Sequence, residues 1–303
     1  MEDAATTAAL DQLEVLRGRP REVEELPGGL TNLNLKVTLP DQVVVVRCVR
    51  SDAGLLAIDR DAEHYNTNAA AQAGVGAALL EHRPELGMTV LEFLPGRTLT
   101  ESDFADPGVL ARAADAVRRL HAAPRFVNDF DMFARQRGYR RVIAEHGFPL
   151  PPSYDDHADA WADVRRVLTA SAGPTVPCNN DLLAGNFLDD GERVWLIDYD
   201  YSGNGDPCFE LGNTSTECEF DPELTRAWTA AYFGGDDPRM FARVQLQALC
   251  SEYGWSLWGF IQAATSPIDY DFHGWGMERF EKAEARFRGP DLRCMLDEVA
   301  NGA

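Results

Sequence analysis

The chain has 303 residues, 45% apolar and 25% charged, with 28 Lys+Arg against 49 Asp+Glu and a formal net charge of −21. That length suits two lobes sharing a cleft and is enough to bury a substantial core. So large a negative excess argues against nucleic acid or an anionic membrane surface as partner, and it draws small cations toward the protein.

Basic charge is almost all arginine; Lys36 and Lys282 are the only lysines. The six cysteines are scattered with no Cys-x-x-Cys pair, so neither a zinc site nor a disulfide framework is expected. The segment MEDAATTAAL is acidic and lacks an apolar h-region, which predicts no signal peptide. No apolar run approaches the roughly 18 residues of a membrane helix. A cytoplasmic protein with reduced thiols is expected.

In chain order, residues 1–20 predict a short helix feeding a first strand. Two strand-like runs follow between Val23 and Val49: REVEELPGGLTNLNLKVTL and, after a Pro40-Asp41 turn, QVVVVRCV. The second is β-branched almost throughout, which predicts a strand buried on both faces. A helix over about 55–73, ending at Gly74 and Gly76, leads to strands near 77–82 and 88–93 and a break at Leu94-Pro95-Gly96. Beyond residue 98 the pattern is mainly helical, with Val109, Ala113, Val117 and Leu120 on one helix face. The 125–175 stretch is helical with proline breaks. A strand-turn-strand unit covers 186–188 and 194–199 around Asp189-Asp190-Gly191, and the tail from Asp221 is again helical. The expected fold class is α+β and bilobal, with a small antiparallel-sheet N-lobe (1–94) and a larger, mainly helical C-lobe (95–303).

The segment CNNDLLAGNFLDDGERVWLIDYDYSG, 178–203, carries the strongest chemical signal. Phosphoryl transfer to an alcohol needs a carboxylate near the hydroxyl proton, Mg²⁺ on the phosphates and positive charge along the phosphate tail. Asp181 and Asn186 share one loop, and Asp198 closes an apolar strand that a hairpin returns beside Asn186. Two oxygen ligands can then meet one hard cation while Asp181 faces the acceptor. Asp and Asn are also ordinary turn residues. The combined spacing favours the chemical reading.

Asn179-Asn180-Asp181…Asn186 and Ile197-Asp198-Tyr199-Asp200-Tyr201 resemble the catalytic and metal-binding segments of the choline/ethanolamine kinase family, related to aminoglycoside phosphotransferases. The resemblance implies a protein-kinase-like fold, ATP and Mg²⁺ as cofactors, Asp181 as catalytic base, and Asn186 and Asp198 as metal ligands. It departs at Asn179, where the family has a scaffold His. An Asn amide has both a donor and an acceptor to serve in its place, and a nucleotide-binding pseudokinase is the reading this departure keeps open.

Pro27-Gly28-Gly29-Leu30-Thr31-Asn32 resembles the family's phosphate-covering loop, with Gly28, Gly29, Thr31 and Asn32 as nucleotide-binding positions. A plain hairpin explains the same glycines. Arg47 stands where a protein kinase has its strand lysine, and Glu63 is expected to pair with it, because a basic residue on an apolar strand demands a partner. Glu92 and Leu94 fall in the hinge expected to hold adenine.

At the substrate end, residues 254–280 resemble the segment that walls the choline pocket, with Trp255, Trp258, Tyr270, Phe272 and Trp275 at matching positions. Trp255 and Trp258, three apart, share a helix face. Core packing is the other reading of that face. A quaternary ammonium is held by cation–π contact and nearby carboxylates, for which Asp200 and Glu217 are the candidates. Glu210 resembles a family Asp that braces the catalytic loop, and His121 is read as structural. Thr214, Ser215 and Cys218 replace family aromatics, which changes the pocket. Together these imply an ATP-dependent phosphotransferase acting on the hydroxyl of a small cationic amino alcohol, choline first or ethanolamine, with thiamine or aminoglycoside acceptors as alternatives.

Overall fold

The computed structural model describes residues 4–26, 32–49, 56 and 58–301. A helix α1 (Ala4–Leu10) precedes strands β1 (Glu22–Leu26), β2 (Asn32–Thr38) and β3 (Val43–Val49). Helix α2 (Arg60–Gln72) then leads to β4 (Leu79–Arg83) and β5 (Met88–Glu92). The five strands form one antiparallel sheet in the order β1-β2-β3-β5-β4. Alternation sorts its faces. Leu35, Val37, Val44, Val46 and Val90 pack under Leu10, Leu13 and Leu16 as one buried core. Val45 and Arg47 project from the opposite face and line a cavity. The β-branched β3 is therefore buried in hydrophobic core on one face only, because its other face bounds the cleft. This corrects the two-faced burial expected from its composition.

The rest is mainly helical: α3 (Pro107–His121), α4 (Met132–His146), α5 (Ala158–Ala170), α6 (Pro207–Glu217), α7 (Pro222–Phe233), α8 (Pro238–Thr265), α9 (Phe272–Arg288) and α10 (Asp291–Asn301). Asp-Pro starts four of these helices. Asp106, Asp206, Asp221 and Asp237 accept backbone N–H groups of the first turn, while the following proline needs no donor there. The axis of this half is α8, buried from Ala242 to Gln262 except at Gln245 and packed against α4, α6, α9 and α10.

Short strands break the helical order: β6 (Arg97–Thr98), β7 (Val176–Cys178), β8 (Phe187–Asp189), β9 (Val194–Leu196) and β10 (Gly203–Gly205). They form a three-stranded sheet β6-β8-β9 and a pair β10-β7. The β8–β9 hairpin matches the strand-turn-strand expectation; β6, β7 and β10, two or three residues each, carry no periodic signal. The proposed division between residues 94 and 95 is supported by β5 ending the first sheet at Glu92 while Arg97 pairs with Asp189.

Candidate functional site

The loop between β7 and β8 carries Asp181 and Asn186. Its shape is set by hydrogen bonds that leave little freedom. Glu210, on α6, accepts the N–H groups of Asn179 (2.9 Å) and Asn180 (2.7 Å). Asn179 accepts the Asp181 N–H at 3.0 Å and donates to the carbonyls of Ile197 (3.1 Å) and Asp198 (2.8 Å). One neutral amide thus clasps the Asp181 loop to the segment that carries Asp198, as expected of the replacement for a scaffold histidine. The Ile197 N–H donates to the Asn186 carbonyl at 3.0 Å, which places Asp198 one residue beyond a direct pairing with Asn186. Asp198 itself adopts a left-handed backbone, φ 62°, an uncommon conformation that the tied surroundings impose.

Behind the loop, the donor atoms of His121, Cys178 and Glu210 gather within 4.8 Å of one another. His121 Nδ1 lies 2.6 Å from the Tyr232 hydroxyl, and burial lowers its pKa to about 3, so the ring is a neutral packing element.

Arg47 is the hub of a buried network of ion pairs. Its guanidinium pairs with Glu63 at 3.0 Å, Asp198 at 2.8 Å and Asp200 at 2.6 Å. Burial works against this charge, but Asp198, Asp200 and Glu63 more than offset it and raise the pKa. Arg60 extends the network, reaching Glu63 at 2.7 Å and Asp200 at 2.9 Å. Burial pushes Glu63 up to about 7 against the pull of Arg47. Asp200 is held below the usual carboxylate range by Arg47 and Arg60 despite its burial. Asp198 is raised by burial and by Asp200, although Arg47 opposes them. Burial, then the neighbouring Asp198, Glu217 and Asp200, push Asp181 well above the usual carboxylate range, and Arg279 opposes them.

A cavity of about 670 Å³ joins these groups. One end is apolar, bounded by Leu26, Val45, Ala77, Leu91, Leu188 and Ile197 together with the Glu92–Leu94 stretch. Asp181, Asn186 and Asp198 line its middle. The other end is walled by Tyr201, Trp255, Trp258 and Trp275 with Glu217. The tryptophans are anchored. Trp258 Nε1 donates to the Tyr201 hydroxyl at 2.7 Å, and Trp255 Nε1 to Asn213 Oδ1 at 2.9 Å. Asn213 in turn donates to the Asn180 carbonyl at 3.3 Å, so the aromatic wall and the Asp181 loop share a tie.

A family model described as the phosphotransferase enzyme family matches residues 22–246. A solved choline/ethanolamine kinase family protein from Mesorhizobium loti is 32% identical, with a TM-score of 0.88 over 98% of this chain and 99% of that one. The chain belongs to the choline/ethanolamine kinase family of phosphotransferases. Mouse ethanolamine kinase 1 is 27% identical over 93% of this chain and 89% of its own. Choline kinase LicA from Streptococcus pneumoniae shares the fold, with a TM-score of 0.80 at 21% identity over 94% of this chain and 99% of that one. This choline/ethanolamine kinase family member is therefore a phosphotransferase acting on an alcohol group, built on a bilobal, protein-kinase-like α+β fold.

The cavity gathers most of the residues singled out from the sequence. Asp181, Asn186, Asp198, Arg47, Glu92, Leu94, Asp200, Glu217, Trp255, Trp258 and Trp275 all line it, and Glu63 pairs with Arg47 as expected. Gly28, Gly29 and Thr31 lie outside the described residues; Asn32 is buried and donates to Asp200 at 3.3 Å. Two placements differ from expectation. Asp200, expected to meet the acceptor, is engaged instead by Arg47 and Arg60, because both guanidiniums lie within 2.9 Å of its carboxylate. Tyr270 is 45% exposed and packs on Phe272, outside the residues that line the cavity, because it precedes the first turn of α9. Sequence reasoning missed Tyr201, Asn213, Arg60 and Arg279. Arg60 stands three residues before Glu63 and Arg279 four after Trp275, and helical spacing could have flagged both.

Proposed function

We propose that this kinase transfers the γ-phosphate of ATP to the hydroxyl of a small cationic amino alcohol, with choline and ethanolamine as the acceptors to compare. One observation carries the reading: an aromatic wall of Tyr201, Trp255, Trp258 and Trp275 shares a single cavity with the carboxylates Asp181 and Asp198 and with Asn186. A cationic head against tryptophan and tyrosine faces places a hydroxyl two carbons away within reach of the loop carboxylate.

The residues fit a hard divalent cation. The Asn186 Nδ2 is tied to the Asp181 carbonyl at 2.6 Å, so Oδ1 is the atom that can face an ion, and the raised Asp198 carboxyl gains from an added positive charge. Asn186 and Asp198 would hold Mg²⁺, which when bound neutralises phosphate charge. The apolar end takes the adenine, and Arg47 exchanges carboxylate oxygens for phosphate oxygens in the fork geometry that guanidinium favours. Asp181 orients the acceptor hydroxyl and takes its proton as the new O–P bond forms and the bond to the ADP oxygen breaks. Its elevated pKa suits proton acceptance.

Coupled ADP release with ATP, Mg²⁺ and a panel of choline, ethanolamine, thiamine and an aminoglycoside tests the reading. Turnover is expected with choline or ethanolamine at a kcat/KM well above that for the other two. Turnover only with an aminoglycoside or thiamine refutes the acceptor class, and nucleotide-dependent stabilisation without turnover on any acceptor indicates a pseudokinase.

A further inference from the structure

We propose that Arg279 is a positioning residue that restricts the acceptor to a single positive charge. This rests on the amino-alcohol kinase reading and deepens it. Arg279, on α9, forks onto Glu217 at the end of α6, with Nε at 3.3 Å and Nη2 at 2.5 Å from its two carboxylate oxygens. The same guanidinium lies over the Trp275 ring, 3.5 Å from its centroid. Both members of the pair are largely buried, their side chains 14% and 11% exposed. A planar fork that stacks on one ring and grips one carboxylate in two places fixes both. Glu217 and Trp275 are thereby held at set positions on the acceptor wall.

The charge consequence follows from the same contacts. Glu217 and Arg279 cancel each other, so Asp181 is the carboxylate at this end whose charge an acceptor cation can balance. A second guanidinium, Arg135, faces the Tyr201 ring at 5.6 Å. Two of the four aromatic rings of the wall, Trp275 and Tyr201, thus already stack on a built-in cation, although neither guanidinium lines the cavity. One ammonium on the acceptor finds a ring and a carboxylate. A second, on the open side of Trp275 or Tyr201, meets a ring that already stacks on a guanidinium, and like charges held close in a desolvated pocket are strongly disfavoured.

The test compares ethanolamine, with one charge, and 1,3-diamino-2-propanol, with two at neutral pH, as acceptors for the wild type, Arg279→Gln and Arg279→Lys. The wild type should favour ethanolamine in kcat/KM by about 100-fold, the scale set by like-charge juxtaposition. Arg279→Gln should narrow that ratio by about tenfold or more, and Arg279→Lys should retain most of it. If Arg279→Gln does not fold, the wild-type ratio measured between low and high salt decides instead, because a charge-based ratio narrows as ions screen it. Equal losses for both acceptors in Arg279→Gln, a wild type that uses the diamine as well as ethanolamine, or a salt-independent ratio would each overturn the proposal. If the wild type turns over neither, choline takes the place of ethanolamine as the singly charged acceptor, and failure on choline as well would instead sink the underlying amino-alcohol reading.

Discussion

At the scale of single residues the site is a set of carboxylates whose burial is only partly compensated. Asp181→Asn should lower kcat by about 100- to 10,000-fold, the range for loss of a general base. Its nucleotide-induced thermal shift should match that of the wild type, since Arg47 and the apolar end are untouched; a lost shift would assign Asp181 to nucleotide binding instead. Glu210 offers a test by pH. Burial pushes it from 4.5 up to about 7, although the Asn180 and Asn179 N–H groups pull it down. Its folded pKa lies above the unfolded one, so the folded state binds this proton more tightly. Its contribution to stability therefore falls as pH rises from about 4.5 to about 7. Relative to Glu210→Gln, which does not titrate, the wild type should lose about 3 kcal/mol across that window, read from urea midpoints. A difference that stays constant with pH would show that Glu210 ionises as readily folded as unfolded. Most of this residue-level chemistry was legible in the sequence, because Asp181, Asn186 and Asp198 sit in one contiguous 26-residue segment. The destination of Asp200 was not: its partners Arg47 and Arg60 stand 153 and 140 positions away, and nothing local declares them.

At the scale of elements, the aromatic wall of the cavity depends on how closely α8 approaches its neighbours. A Cβ on Gly259 would lie 2.7 Å from the Gly276 Cα and 2.9 Å from the Trp275 ring, and one on Gly212 would lie 2.6 Å from the Ala248 nitrogen. These two glycines let α9 and α6 press against α8 and carry Trp275 and Glu217 to the cavity. Gly259→Ala should cost about 1–3 kcal/mol by overpacking and raise KM for the acceptor far more than KM for ATP. Parallel increases in both would mean that the α8–α9 contact does not set the wall. The Trp-x-x-Trp spacing showed which helix face bears the aromatics. It could not show that Trp255 is anchored through Asn213 to the catalytic loop, since that tie spans 42 residues. Helix signals were long and periodic and were read well, whereas β7 and β10 exist only because their partners are delivered by distant chain.

At the scale of the whole molecule, a kinase chain of net charge −21 has to admit a polyanionic nucleotide, so positive charge must be gathered locally, as it is where Arg47 and Arg60 meet beside the cavity. Saturating ADP with Mg²⁺, at about 100 times Kd, should stabilise the fold by about 2.7 kcal/mol, and EDTA should abolish most of the resulting rise in Tm. A rise that is indifferent to EDTA would show that Asn186 and Asp198 hold no ion. Among the described residues no helix is long and apolar enough to cross a membrane.

The clasp made by Asn179 has a consequence of its own. An imidazole at that position would change charge within the pH range where cells operate, and its grip on two backbone carbonyls would alter with it. A carboxamide takes up no proton there. The amide's own part of the joint between the Asp181 loop and the Asp198 segment is accordingly indifferent to acidification, so any acid limb in the activity of this enzyme has to originate in carboxylates, among them Glu210, which grips the same loop and is itself pushed up to about 7.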